Sequence, residues 1–308
     1  MPARATQRKN DRPVNEIDEN FGEDFRLPAI GDAEARAYDH RMDSVAPHPD
    51  ALGNIDLLAA LADARIQTLY QPVVQITDRT PVGLEVLARL DDPQRGTLSP
   101  SAFVAPMEDA GLALQLSEAV IRRAFADWRD GRLEALNLTL AINLPLDVLL
   151  IPSALTWLDA ERTEAGIDAG RIIIELTESQ PISRLADLSR ATHQLRASGY
   201  GIAIDDVGPN IRDHSALLDL PFTMLKLDKY LVQESLNNND VADFLTTTLH
   251  TARTANLIII AEGVEDTATW QRMANLGVDQ AQGFLVSHPI ASDCVAPWMA
   301  SWRSKCAL

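Results

Sequence analysis

Acidic side chains interrupt several aliphatic segments of this 308-residue sequence. Glu85 lies within VGLEVLARL, Glu175 within RIIIELTES and Glu262 within LIIIAEGVE, while Asp205 and Asp206 end the segment GIAIDD. Burial of an isolated carboxylate is so costly that a protein normally protonates the group or pairs it with a cation. Four apolar segments that each carry an acid therefore indicate a common partner of positive charge.

Three further polar residues interrupt similar segments: Asn143 in LTLAINL, Lys226 in MLKLD and Gln282 in AQGF. One lysine cannot neutralise five acids. Carboxylate and amide oxygens suit Mg²⁺ or Mn²⁺, whereas zinc sites usually include histidine or cysteine, and no histidine lies in these segments. A single acid at a strand end is more often a helix cap or a surface group, but six such residues favour a divalent-cation site. They are Glu85, Asn143, Glu175, Asp205, Asp206 and Glu262.

The elements that must position these residues follow from the apolar pattern. Short apolar segments alternate with amphipathic ones, which is typical of repeated β-α units. We predict strands at Leu69–Ile76, Val82–Leu90, Leu138–Leu144, Ile172–Leu176, Ile202–Asp206, Met224–Asp228, Leu257–Val264 and Ala281–Val286. We predict helices at Ser101–Met107, Leu116–Asp130, Ile182–Ser198, Val241–Thr254 and Thr267–Leu276. Gly199 and Gly277 follow two of these helices, as expected at helix C-termini.

The segment TDRTP between the first two strands is too short for a helical crossover, so these strands should pair in the antiparallel sense. Eight strands in this order predict an α/β fold, a TIM-like (β/α)8 barrel with an antiparallel first strand. The C-terminal ends of barrel strands converge on one face, where enzymes of this architecture place their active sites. The six candidate ligands would meet on that face.

Composition narrows the class of protein. The chain has 27 lysines and arginines against 44 aspartates and glutamates, a formal net charge of −17, which repels nucleic acids and anionic membranes. An anionic ligand would therefore need a bound metal to supply positive charge. The two cysteines form no disulfide framework, the N-terminus lacks an apolar signal segment, and no apolar stretch is long enough to cross a membrane. We predict a cytoplasmic protein that binds neither DNA nor RNA.

Residues 1–48 differ in composition from the rest, with a basic start followed by an acidic patch. They hold too few apolar side chains to offset the backbone entropy lost on ordering, roughly 1–2 kcal/mol per residue. We predict a disordered N-terminal tail at 1–48 and one domain at 49–308. The tail is either a solvated extension or a docking segment for a protein partner.

With these residues the sequence resembles the EAL-domain family, the bacterial cyclic-di-GMP phosphodiesterases. The resemblance covers about residues 52–303, and its motifs occur in the family's order. Glu85-Val86-Leu87 stands in place of the naming motif, with valine instead of alanine. The other motifs are YQPVV from Tyr70, AINL around Asn143, ELTES from Glu175, IDD ending at Asp206, LKLD around Lys226, AEGVE containing Glu262 and QGF from Gln282.

The resemblance implies a barrel that holds two Mg²⁺ or Mn²⁺ ions and hydrolyses cyclic-di-GMP to linear pGpG by an in-line displacement. It assigns the first ion to Glu85, Asn143, Glu175 and Asp205. Asp206 would help to hold the second ion, and Glu262 would orient the attacking water. Lys226 would assist that water as a base or as an electrostatic partner, and Gln282 would position it.

The resemblance also assigns residues around the metal site. Gln71, Arg89 and Asp228 would bind the substrate, with the Arg89 guanidinium suited to a phosphate. Glu178 and Glu265 would brace the loop after Asp206 and help to shape the contact of a homodimer.

One segment departs from the family. After Asp206 the chain reads VGPNIRDHS, where the family has phenylalanine, glycine and a run of small residues. GPN is typical of a turn, and Arg212 and His214 are either solvated loop residues or replacement substrate contacts. The change leaves two interpretations open: an active enzyme, or a receptor that binds the nucleotide without hydrolysis and signals to a protein partner. Retention of every ligand residue favours the enzyme and makes a scaffold without metal or nucleotide improbable.

Overall fold

The computed structural model describes residues 57–177, 185–207 and 220–306. Its strands are β1 (Ile66–Gln75), β2 (Pro81–Asp92), β3 (Gly96–Leu98), β4 (Thr139–Asn143), β5 (Ile172–Thr177), β6 (Gly201–Val207), β7 (Met224–Leu227), β8 (Ile258–Ala261) and β9 (Gln280–Ala281). The helices in these ranges are α1 (Leu57–Ala62), α2 (Pro100–Asp109), α3 (Ala113–Arg129), α4 (Leu146–Leu149), α5 (Ala154–Glu164), α6 (Leu185–Ala197), α7 (Lys229–Glu234), α8 (Asn239–Thr254), α9 (Thr267–Asn275) and α10 (Ser292–Cys306). Short 3₁₀ turns occupy Glu134–Leu136 and Ala169–Arg171.

The sheet closes into a barrel. Its strand order is β1-β9-β8-β7-β6-β5-β4-β2, and β1 pairs with β2 to close the barrel. β1 runs antiparallel to both neighbours, whereas the pairs from β2 through β4 to β9 are parallel. Among the described strands, β3 pairs with β2 alone and lies outside the closed barrel. The predicted TIM-like barrel with an antiparallel first strand is therefore confirmed.

The two faces of each strand have different roles. On β2, Leu84, Val86 and Leu90 point outward and belong to the main apolar core between the barrel and its helices. Inside the barrel, a small apolar cluster of Ala141, Ile173 and Ala203 packs with Met224. Because side chains alternate along a strand, the residue two positions beyond each of these lies nearer the C-terminal end, or mouth, of the barrel. Three of the candidate ligands, Asn143, Glu175 and Asp205, occupy that upper level together with Lys226.

Two strand predictions were too long. Ala281–Val286 was expected to be a strand, but β9 ends at Ala281 because Gly283 packs against the backbone of Val264, where a Cβ would lie 2.3 Å from the Val264 oxygen. Leu257–Val264 shortens to β8 because Gly263 has a φ of +61° and turns the chain. Both turns come directly after a candidate site residue, so they set where that residue points.

The other predicted elements agree with the structure to within a few residues where it describes them. Gly199 and Gly277 have φ values of +94° and +70°, as predicted for residues that end helices. β3, α1, α4, α5, α7 and α10 were missed. The start of the helix predicted at Ile182 and the tail predicted at 1–48 lie outside the described residues. Among the helices that the structure describes, none combines the length and the apolar composition needed to cross a membrane.

Candidate functional site

Eight polar side chains form a ring at the mouth of the barrel, one from each strand or from the residue just after it. Parallel register brings these side chains to one end of the barrel: Asn143 lies opposite Glu175, and Asp205 lies opposite Thr177, two residues beyond Glu175 on the same face of its strand. The ring consists of Gln71, Glu85, Asn143, Glu175, Asp205, Lys226, Glu262 and Gln282. The structure thus brings together five of the six predicted metal ligands, and the sixth, Asp206, lies beside them.

Lys226 lies at the centre of the ring and is only 1% exposed. Its Nζ is 3.0 Å from Glu175 Oε1 and 2.9 Å from Asp205 Oδ1. It also lies 2.6 Å from Glu262 Oε1 and 3.6 Å from Glu85 Oε2. One ammonium group therefore contacts four carboxylates that come from four different strands or their ends.

Side-chain amides hold the carboxylates in place. Asn143 Nδ2 donates to Glu85 Oε1 and to Glu175 Oε2, at 3.2 Å in each case. Gln282 Nε2 donates to Glu85 Oε2 and, at 3.1 Å, to Gln71 Oε1. Gln71 in turn donates to the Ser287 backbone oxygen at 3.1 Å. The Asn143 amide therefore turns its nitrogen toward the acids, and a chain of amides fixes the second oxygen of Glu85.

Asp205 and Asp206 are consecutive, yet both carboxylates reach the same region. The register between β6 and β7 shifts between Ile204 and Val207, and Asp206 has a left-handed φ of +56°. Such a bulge redirects a side chain that simple alternation would place on the other face. One oxygen each from Asp205, Asp206 and Glu262 lies within 4.8 Å of the other two. These three acids can therefore share a cation.

Among the described residues, the charges of the ring are unbalanced, with four acids and neighbouring Asp206 against one lysine. Burial raises the pKa of Glu175 well above its usual value, and Glu85 and Asp205 add to the effect while Lys226 opposes it. Burial, opposed by Lys226, raises the pKa of Glu262 to about 8. For Lys226, burial alone would lower the pKa, but the surrounding acids raise it well above the usual value. Excess negative charge on oxygen donors in a confined space fits a divalent cation.

The comparisons with known proteins agree with this geometry. The family model described as "EAL domain" matches residues 55–289. This chain belongs to the EAL domain family. The EAL domain is 32% identical over 250 residues to the bifunctional diguanylate cyclase/cyclic di-GMP phosphodiesterase MucR of Pseudomonas aeruginosa, covering 77% of this chain and 35% of MucR. It is 28% identical over 250 residues to the oxygen sensor protein DosP of Escherichia coli, covering 80% of this chain and 31% of DosP.

The chain thus spans about a third of the length of these curated relatives. A solved structure titled as the MucR phosphodiesterase in complex with c-di-GMP superposes on the EAL domain with a TM-score of 0.70 at 31% sequence identity. That match covers 76% of this chain and 96% of the other. The likeness therefore extends over the whole barrel that carries the ring.

Two of the predicted substrate-binding residues, Arg89 and Asp228, lie on β2 and directly after β7. Arg89 is buried on β2, four residues from Glu85 and so on the same face of the strand, and it donates to the Ala88 oxygen at 2.8 Å. Asp228 accepts from the Tyr230 amide at 2.8 Å and so caps α7. The substrate roles of these residues and of Gln71 stay predictions.

The two residues predicted to brace the loop after Asp206 differ in what can be described. Glu265 pairs with Lys229, whose ammonium also lies 5.8 Å from the centre of the Phe284 ring. Glu178 and the divergent segment from Gly208 to Ser215 lie outside the described residues. The bracing role stays a prediction for both glutamates.

Sequence reasoning missed two features of this EAL domain. It gave Gln71 a substrate role and did not foresee its bond to Gln282, although Gln71 lies opposite Glu85 in the β1–β2 pairing and the hairpin could have suggested it. It also missed the Ser287 backbone oxygen that holds Gln71. A backbone acceptor carries no signal in the residue types.

Proposed function

We propose that this chain is a metal-dependent phosphodiesterase that hydrolyses cyclic-di-GMP to linear pGpG. The observation that carries the proposal is the ring of acids at the barrel mouth, whose charge is far from balanced by Lys226. The similarity to MucR, a bifunctional diguanylate cyclase/cyclic di-GMP phosphodiesterase with a solved c-di-GMP complex, supports the choice of substrate. The acidic ring and the similarity to MucR together favour a phosphodiester bond as the bond that is hydrolysed.

The oxygen donors divide into two sets. Glu85, Asn143, Glu175 and Asp205 would hold one Mg²⁺ or Mn²⁺ ion, and Asp206 with Glu262 would help to hold a second. Such ions, when bound, make water a better nucleophile near neutral pH and stabilise the entering and leaving oxygens of the phosphate. The 4.8 Å grouping of Asp205, Asp206 and Glu262 supports the second set.

The other residues act on substrate and water. Lys226 Nζ lies 2.9 Å from Asp205 Oδ1 and 2.6 Å from Glu262 Oε1, and it would assist the attacking water as a base or as an electrostatic partner. Gln282 fixes one oxygen of Glu85. Arg89 would bind a phosphate oxygen pair. Hydrolysis adds one water across one of the two phosphodiester bonds, leaving a linear dinucleotide with one terminal phosphate and one free hydroxyl.

The experiment that tests this proposal is incubation of the purified chain with cyclic-di-GMP and Mg²⁺ or Mn²⁺, followed by chromatography for pGpG. EDTA should stop product formation. Glu134→Ala is the matched control for substitutions in the ring, because Glu134 is an exposed glutamate outside it. Tight nucleotide binding without product would favour the receptor interpretation, for which the divergent segment after Asp206 is the motivation. If the chain neither binds the nucleotide nor forms product, both the enzyme and the receptor interpretations are contradicted.

The proposal extends to a homodimer in the cytoplasm, on the strength of the family resemblance. Sedimentation of the purified chain with and without nucleotide tests the dimer. A single species at the monomer mass under both conditions would contradict it.

A further inference from the structure

Lys226 contacts the oxygens that are proposed to hold the metal. Its Nζ is within 3.0 Å of Glu175 Oε1, Asp205 Oδ1 and Glu262 Oε1. One ammonium group therefore forms close ion pairs with three carboxylates. The side chain is 2% exposed, and water therefore screens the interaction little.

We propose that Lys226 competes with the divalent cation for the carboxylates of the ring and so sets how tightly the ring binds metal. This role is additional to any part that Lys226 has in hydrolysis, and it rests on the proposed metal site. The physical basis is twofold. The ammonium engages the carboxylate oxygens in charge-assisted hydrogen bonds, and its positive charge repels a cation placed among them.

The contacts that weaken metal binding stabilise the folded chain. Without Lys226, the four acids of the ring would have no ion pair with a positive side chain in the part of the chain that the structure describes. Buried like charges destabilise the folded chain unless they take up protons or a cation. Lys226 therefore weakens metal binding and at the same time stabilises the protein when metal is scarce. A residue that merely supported the fold would not tighten metal binding when removed.

The closing experiment measures Mg²⁺ and Mn²⁺ binding by calorimetry without nucleotide, at about pH 8.5, where protons compete less for the same oxygens. Lys226→Met keeps the length of the side chain and removes its charge. We expect it to bind both ions more tightly, on the order of tenfold. Lys226→Arg keeps the charge and should not tighten binding. Lys305→Met removes the same charge from the last turn of α10 and should bind metal like the wild type.

Thermal unfolding supplies the second readout. In EDTA, Lys226→Met should melt below the wild type, and saturating Mg²⁺ should raise its melting temperature by more than it raises that of the wild type. An equal or smaller rise, together with unchanged or weaker metal affinity, would overturn the inference.

A measurement on the wild type keeps the inference testable if Lys226→Met does not fold. The chain has only four lysines, Lys9, Lys226, Lys229 and Lys305, so lysine labelled with ¹⁵N gives few side-chain signals. During Mg²⁺ titration, the Lys226 signal should shift in proportion to metal bound, and the Lys305 signal should stay in place. A stationary Lys226 signal at saturating metal would overturn the inference.

The outcomes separate this inference from the proposed function. If the wild type takes up no Mg²⁺ or Mn²⁺ by calorimetry and forms no pGpG, both fail. If the wild type binds metal and forms pGpG, but Lys226→Met binds metal no more tightly, the competition alone fails.

Discussion

Two buried acidic sites in this molecule have opposite charge balance. Asp127, on α3, is 2% exposed and accepts a hydrogen bond from the Tyr70 hydroxyl at 2.8 Å. Arg132 and Arg123 lie 3.2 Å and 3.4 Å from its other oxygen. At the barrel mouth, in contrast, Lys226 is the one positive group among the described residues that pairs with the four carboxylates. Burial of an acid therefore does not by itself mark a cation site; an uncompensated group of buried acids does.

The Asp127 site joins parts of the chain that are distant in sequence. Thr68 and Tyr70 belong to β1, and Arg132 also donates to Ser292 Oγ at the start of α10. Burial, with Asp127 next, raises the pKa of Tyr70, so the phenol stays protonated and remains a donor. These contacts satisfy the carboxylate completely enough that it needs no further cation, and we assign it a structural role.

The largest expected difference between the two sites is in catalysis. Glu85→Ala removes a proposed metal ligand that both Asn143 and Gln282 hold in place. We expect pGpG formation to fall by on the order of 10³-fold or more. Chromatography at saturating nucleotide and metal measures the rate. Wild-type rates in Glu85→Ala would refute the ligand assignment, and Glu134→Ala is the matched control.

The next effect is on stability and belongs to the other site. Asp127→Ala removes the charged acceptor of the buried Tyr70 hydroxyl, which keeps only the Thr68 hydroxyl at 3.2 Å among its recorded partners, and it removes the partner of two arginines. We expect the free energy of unfolding in urea to fall by about 2–3 kcal/mol, because a hydrogen bond to a charged group in a buried site is lost. The rate of pGpG formation per folded molecule should stay near that of the wild type. A large loss of rate with unchanged stability would mean that Asp127 serves the reaction.

The ring could be predicted from the sequence and the Asp127 site could not, for a physical reason. Acids within otherwise apolar strands are conspicuous, and parallel strands of a barrel end on one face, so the ring was predictable from Glu85, Glu175 and Glu262 before any coordinates. Asp127 lies in an amphipathic helix with arginines nearby in sequence, where an acid is ordinary. Its burial depends on how α3 packs against β1, which local pattern does not contain.

The other differences between the predicted and the observed elements also arise from features that the local sequence pattern does not reveal. β9 is shorter than predicted because Gly283 packs on Val264, a contact between two loops that are adjacent only in the folded barrel. α10 was missed because Pro297 lies inside it and suggests a break in the sequence. The bulge at Asp205 and Asp206 depends on pairing with β7. The face on which each ring residue lies follows from alternation along its strand, whereas loop contacts and bulges follow from tertiary packing.

A third prediction uses the charge excess of the ring itself. Glu175→Gln removes one of the competing acids while keeping its shape. The folded-state pKa of Glu175 lies above its usual value, so its favourable contribution to stability is complete below about pH 4.5 and is lost as pH rises through the raised pKa. Glutamine does not titrate. In EDTA, Glu175→Gln should therefore be more stable than the wild type at pH 8, with a smaller difference at pH 5.

Urea unfolding at the two pH values measures this effect, and Glu134→Gln is the control because Glu134 is exposed. If Glu175→Gln destabilises the protein equally at both pH values, the ring is balanced by charges other than Lys226. That result would remove the contrast with Asp127.

The smallest expected effect tests whether Asp127 keeps enough hydrogen-bond donors when one of them is removed. Thr68 Oγ1 lies 3.4 Å from Asp127 Oδ2, whereas the Tyr70 hydroxyl bonds to the same oxygen at 2.8 Å. Thr68→Val keeps the shape of the side chain and removes this weaker donor. Because Tyr70 and two arginines still serve the carboxylate, the free energy of unfolding should fall by less than about 1 kcal/mol. A loss as large as that of Asp127→Ala would mean that the site, like the ring, depends on each of its polar groups.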